Sequence, residues 1–208
     1  MHQSRIRKEP SITTTHSQNH LDQLDRFLRA AADIMLAFDS DPAQEQSEGG
    51  WPCDELAYSW AAHRRDRSMW EAFLPVRGHV GALLATATAQ LGLLPDSSRD
   101  AWTSKINGLD HATTELDHQH DRTVERLGDH LARPHPNLET VDLVLTEFFD
   151  EAWPALDVWA AGGRAVIELN ATVHQDAAHS HTPKTALRLV SGGITSPSAP
   201  GRPRGGRR

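Results

Sequence analysis

Residues 109–131 read LDHATTELDHQHDRTVERLGDHL, with four histidines, four aspartates and two glutamates in 23 positions. The stretch is either a metal site or the solvated face of a long helix, and the choice places everything around it. Helical bundles hold metals with Glu-x-x-His on one helix face, and Glu115 and His118 have that spacing. The apolar residues nearby decide where such a pair points. Trp102, Ile106, Leu109, Thr113, Leu116, His120, Val124, Leu127 and Leu131 recur in steps of three and four, which is one stripe of an α-helix. With Leu116 as the buried centre and about 100° per residue, His120 lies about 40° away, Glu115 about 100° and His118 about 160°. The pair therefore points to a flank and to water, as do Asp110, Asp117 and Asp121. If a metal site exists, its candidate ligands are His120, Glu115, His118 and, from a facing helix, Asp150. The expected role of the cluster is instead structural or solvating, and no cofactor is expected. His120 stands apart, because a histidine on a buried stripe must hydrogen-bond something.

Outward from this helix, expected over about 98–132, the same period recurs. Leu21, Leu24, Leu28, Ala31, Met35 and Phe38 form a stripe over about 19–39, with Asn19 as cap and Asp22 and Asp25 in the first turns. DSDPAQEQSEGGWPC is polar, aperiodic and rich in Pro and Gly, hence a loop. Leu56, Trp60, His63, Trp70 and Leu74, then Val76, Val80, Leu83, Ala87 and Leu91, predict a second helix over 54–93. Pro75 removes a backbone donor and should kink or break it. The last stripe, from Leu138 through Phe148, Trp159 and Gly163 to Val173, predicts a helix over 138–175 bent at Pro154 or Gly162-Gly163. Trp60, Trp70, Trp102 and Trp159 fall on or beside these stripes and are expected in the core.

Short links between successive helices favour antiparallel neighbours. The expected fold is all-α, an up-down-up-down four-helix bundle, with residues 1–18 and most of 177–208 disordered. The first helix is about half as long as the others, so part of their apolar surface lacks a fourth partner. Only ALRLV, with Leu187, Leu189 and Val190, interrupts the solvated tail and could dock on the bundle or a partner.

Composition narrows the functions. One cysteine, Cys53, excludes a disulfide framework, and no apolar run follows the basic N-terminal residues or reaches eighteen in length. A cytoplasmic protein with no membrane span is expected. Six Lys or Arg and no acid follow Asp176, so the net charge of −7 divides into −13 before that point and +6 after it. Nucleic acid is therefore repelled by the body, and only Arg202, Arg204, Arg207 and Arg208 of the tail are candidate contacts. His174, His179 and His181 in HQDAAHSH are spaced to take a transition metal weakly. The run His63, Arg64, Arg65, Asp66, Arg67 has His63 on the stripe and Arg67 near it, and a buried Arg there would need a carboxylate to fix helix register.

No phosphate loop, nucleophile elbow, H-E-x-x-H or cysteine cluster occurs in the chain. The expected function is that of a non-catalytic accessory or scaffold protein acting through protein–protein contacts, with an unidentified protein partner and a homodimer as the first candidate. A metal- or small-molecule-binding bundle with His120 inside is the alternative, and a nucleic-acid accessory protein using the basic tail is the third reading.

Overall fold

The computed structural model describes residues 12–44 and 54–180. Those residues are all-α: six helices, α1 (Ile12–Asp39), α2 (Glu55–Arg77), α3 (Val80–Leu91), α4 (Asp96–Leu131), α5 (Leu138–Gly162) and α6 (Arg164–Ser180), plus a 3-10 turn at Pro42–Gln44. No helix among the described residues is long and apolar enough to cross a membrane. Trp51, Cys53, His181 and the tail residues Leu187 to Arg208 lie outside the described residues, as do residues 1–11.

Two of the long stripes are each broken once, which turns four expected helices into six. The second stripe does not break at Pro75, which sits inside α2. Proline costs the helix one donor there, but the chain keeps helical geometry for two more residues. The break comes at His79, whose φ of −125° and ψ of −3° leave the helix, while its N–H closes a tight turn on Val76 C=O at 2.8 Å. The fourth stripe likewise runs through Pro154 and breaks at Gly163. α1 begins at Ile12, seven residues before the expected start, so Asn19 is an interior residue and not a cap. His16 and Ser17 of its added turns line a groove with α3, and just beyond them His20 stacks on His79, the residue that precedes α3, with ring centroids 4.1 Å apart. α4 starts at Asp96 without a serine cap, and α6 continues to Ser180, past the expected end of order at 177.

The ends that do carry caps show local sequence at work. Asp54 accepts from Ala57 N–H at 2.9 Å, and Asn137 from Glu139 N–H at 3.0 Å, each satisfying a donor that the first turn cannot. Arg99 reaches back from α4 to donate to Leu91 and Leu94 C=O at 3.1 and 2.8 Å, closing the end of α3. His130, buried in the last turn of α4, accepts from Asn137 N–H at 3.0 Å and so pins the turn into α5.

Pairings give the directions. Arg122 pairs with Glu151 and Arg126 with Glu147, so α4 and α5 run antiparallel. Phe27 meets Phe73 and Phe38 meets Tyr58, so α1 and α2 do too. His63 packs on Phe149 and Phe73 on Trp159, which makes α2 and α5 parallel. The core centres on Trp159, Phe27, Phe73, Leu24, Met69, Leu109 and Leu156, all essentially inaccessible.

Gly163 allows its closest approach. A Cβ added there would lie 2.7 Å from Trp159 C=O and 3.2 Å from Leu28, whereas at Gly78 it would meet nothing within 4 Å. Gly163→Ala is therefore expected to cost about 1–3 kcal/mol, and Gly78→Ala to add about 0.5–1 kcal/mol through helix propensity. Urea unfolding of the two variants measures both, and equal effects would contradict the packing difference.

Candidate functional site

The charged run of α2 folds in a way its stripe did not suggest. Asp66, Met69, Phe73 and Val76 are spaced three, four and three, and all four are buried, so the inward charge is Asp66. Arg67 faces outward and pairs with Glu71 at 2.9 Å. Arg65 supplies the inward cation: its Nε and Nη2 lie 2.7 and 2.6 Å from Asp66 Oδ1. The guanidinium is held between Phe38, 4.4 Å from the ring centroid, and Trp153, at 3.7 Å. Both rings offer their negative faces to the cation, and the carboxylate binds its edge. This arrangement ties α1, α2 and α5 at one level. Arg64 reaches Asp41 at 2.9 Å beyond it.

Burial pushes the Asp66 carboxyl above the usual aspartate range; the hydrogen bond and charge of Arg65 oppose this, Asp150 adds to it, and His63 opposes it. The sequence carried a signal for the buried acid, since Asp66 continues the Met69–Phe73–Val76 spacing. Nothing in the pattern marked Arg65, which curls round from the flank to reach its adjacent neighbour.

His120 occupies the second polar locus. Its ring stacks on Trp70 at 5.9 Å and meets Phe148 edge-on at 6.2 Å. Arg77 Nη1 lies 3.4 Å from its Nε2 and the Asp121 carboxylate 3.5 Å from its Nδ1. Arg77 also bridges α2 to α4 through Asp117 at 3.2 Å. The surroundings are thus aromatic, with a guanidinium at one ring nitrogen and a carboxylate at the other. Glu115, His118 and Asp150 are exposed, and among the described residues no three His, Cys, Asp or Glu side chains gather where one ion could be held. The structure does not bring His120, Glu115, His118 and Asp150 together. His174 is exposed and its Nδ1 lies 2.7 Å from Asn170 C=O. Arg202, Arg204, Arg207 and Arg208 lie outside the described residues.

Comparison with family models, curated proteins and solved structures finds no match to this chain. Its function must be argued from its own surface.

Among the described residues, α2 and α4 carry exposed apolar side chains. Leu56, His63, Trp70 and Arg77 recur every seven residues on α2 and share a face. Asp117, His120, Val124, Leu127 and Leu131 form the facing row of α4. The rows meet at Arg77–Asp117 and Trp70–His120, and beyond those contacts each carries exposed apolar side chains. Leu56 is 69% exposed, Val124 54% and Leu131 55%. Trp60, on the outer side of α2, is 60% exposed and not a core residue, whereas Trp70 and Trp159 are buried. The reason is the partner helix: beyond His120, α4 packs on α5, so Thr123 and His130 turn inward in place of Val124 and Leu131.

A raised Asp66 pKa has a signed consequence for stability. The folded state holds the proton more tightly than the unfolded chain, so this group contributes most below its usual 3.8, and the contribution falls as pH rises through the raised value. Relative to Asp66→Asn, the wild type should therefore gain stability on acidification across that window and show a constant difference above it. Paired urea titrations at several pH values measure this, and a wild-type loss across the window would reverse the sign of the burial argument.

Proposed function

We propose that the protein is a non-catalytic accessory or scaffold that acts through protein–protein contact, and that its first partner is a second copy of itself. Its architecture is read as an up-down-up-down bundle of four rods, α1, α2–α3, α4 and α5–α6, bearing the basic tail. The observation that carries this reading is the exposure of Leu56 on the α2 row and of Val124 and Leu131 on the α4 row. Large apolar side chains grouped on one face are characteristic of interaction sites, whereas scattered ones are ordinary.

A second copy suits this surface for two reasons. A two-fold interface sets one patch against itself, so an apolar row without free charge is self-complementary. Two flanking arginines are already engaged, Arg122 with Glu151 and Arg126 with Glu147. His63 Nδ1 and Arg77 Nε lie on the same α2 row, buried and without a hydrogen-bond partner among the described residues. Such groups favour an occupant that brings polar atoms as well as apolar ones. The alternative of a metal- or ligand-binding bundle centred on His120 has less support, since rings and a guanidinium fill that space.

Light scattering on the purified full chain tests the proposal. A dimer is expected at micromolar concentration, and Val124→Glu with Leu131→Glu should yield a monomer of unchanged helix content, because both positions are exposed in the single copy. A monomeric wild type in that range, or a dimer indifferent to the double substitution, would remove it.

A further inference from the structure

We propose that the groove between α1, α3 and α6, at the opposite end of the molecule, binds a small, flat, uncharged molecule that carries an amide-like hydrogen-bonding edge. The groove exists because α3, VGALLATATAQL, presents short side chains where its neighbours present long ones. Ala82, Thr86 and Ala87 leave a volume of about 190 Å³. An apolar cavity of roughly 150 Å³ takes up benzene, whereas drug-sized ligands need about 300 Å³ or more. The space therefore suits a single ring with one substituent.

The lining specifies the chemistry. Leu21, Leu83 and Val166 are buried and give apolar walls. No Asp, Glu, Lys or Arg is among the described residues that line the groove, on a chain in which 24% of residues are charged. A carboxylate or ammonium group entering it would lose hydration without gaining a counter-charge. Of the buried residues that line the groove, Gln90 is the polar one. Gln90, only 9% exposed, donates from Nε2 to Asn170 Oδ1 at 2.8 Å. A primary amide has two donors and a carbonyl acceptor, so whichever way round the two amides lie, this single bond leaves the pair a donor and an acceptor. A ligand amide can meet both at once.

His20 supplies a flat rim, stacked on His79 with an interplanar angle of 12°. Burial, with His79 and then His16 adding to it, holds the His20 imidazole below the usual histidine range. The shift favours the uncharged form of the ring, which suits an uncharged ligand. The site uses none of the residues of the α2–α4 surface, so the two proposals stand or fall separately.

Titration of the full-length protein with benzamide, followed by amide proton–nitrogen NMR, tests this directly, with benzoate and benzylamine as charged counterparts of the same size. Saturable shifts centred on α1, α3 and α6 are expected for benzamide, and binding at least about tenfold weaker for either charged ring. Thr86→Leu, on the exposed rim, should weaken benzamide by about tenfold or more while leaving the remaining spectrum in place. If that variant does not fold, Ala82→Leu, also exposed, serves the same purpose. Gln90→Met keeps the shape, removes the amide and should weaken benzamide without admitting benzoate. Absence of saturable shifts, shifts centred on another face, equal affinity for benzoate, or indifference to the rim substitution would each overturn the proposal.

Discussion

Two adjacent residues without side chains let the helices of this protein meet. At the Gly162–Gly163 step the chain lies against α4 on one side and α1 on the other: a Cβ on Gly162 would lie 3.3 Å from Leu109 Cδ2, and one on Gly163 would press on Leu24 and Leu28. One turn earlier, Trp159 fills the space that this approach defines, with its indole N–H donating to Thr113 Oγ1 at 3.2 Å. Phe73 and Phe27 continue the layer across α2 and α1, with centroids 5.8 and 5.1 Å apart in sequence. Close packing of this kind transmits position, because each large ring is held by its neighbours and has no void to move into.

The layer divides the molecule into two ends with different chemistry. On the α1 amino-terminal side, the short residues of α3 cannot fill the volume beside α6, and an uncharged groove with one amide pair remains. On the other side the Arg65–Asp66 pair, clasped by Phe38 and Trp153, ties α2 to α1 and α5. Removing one partner of such a buried pair is costly because the other charge is left without compensation. α2 packs on α1 and α5, and α4 packs on α5, and the two rows are in contact at Trp70 and His120. The exposed Leu56, Val124 and Leu131 all lie within the helical residues of α2 and α4.

Much of the core was legible in the spacing of apolar residues. Leu21, Leu24, Leu28, Ile106, Leu109, Leu116, Phe148, Leu156 and Trp159 lie on the stripes and are buried. The failures have physical causes. Past Leu116 the buried line of α4 steps by seven, to Thr123 and His130, because a single neighbouring helix sets it; a stripe drawn in steps of three and four carries Val124 and Leu131 instead. His130 turns inward because it accepts a backbone N–H across a turn, which no periodicity records. The sequence predicts a kink or break at Pro75; that residue lies inside α2, and the backbone leaves the helix instead at His79, which stacks on His20. Of the four candidate metal ligands, His120 alone lies on an apolar stripe, and it meets two rings, the Arg77 guanidinium and the Asp121 carboxylate. The geometry of Arg65 depends on Phe38 and Trp153, which come from distant parts of the chain, so no local pattern could show it.

Native-state hydrogen exchange tests the central claim most directly. If the glycine step and the Trp159 layer hold the helices together, the amides of residues 155–162 in α5, 24–31 in α1 and 109–116 in α4 should exchange last, and only through global unfolding. Amides near Leu56 and Leu131 should open earlier, through local fluctuations. Slowest exchange near Leu56 and Leu131, with the Trp159 layer opening first, would contradict the account and move the organising contact elsewhere.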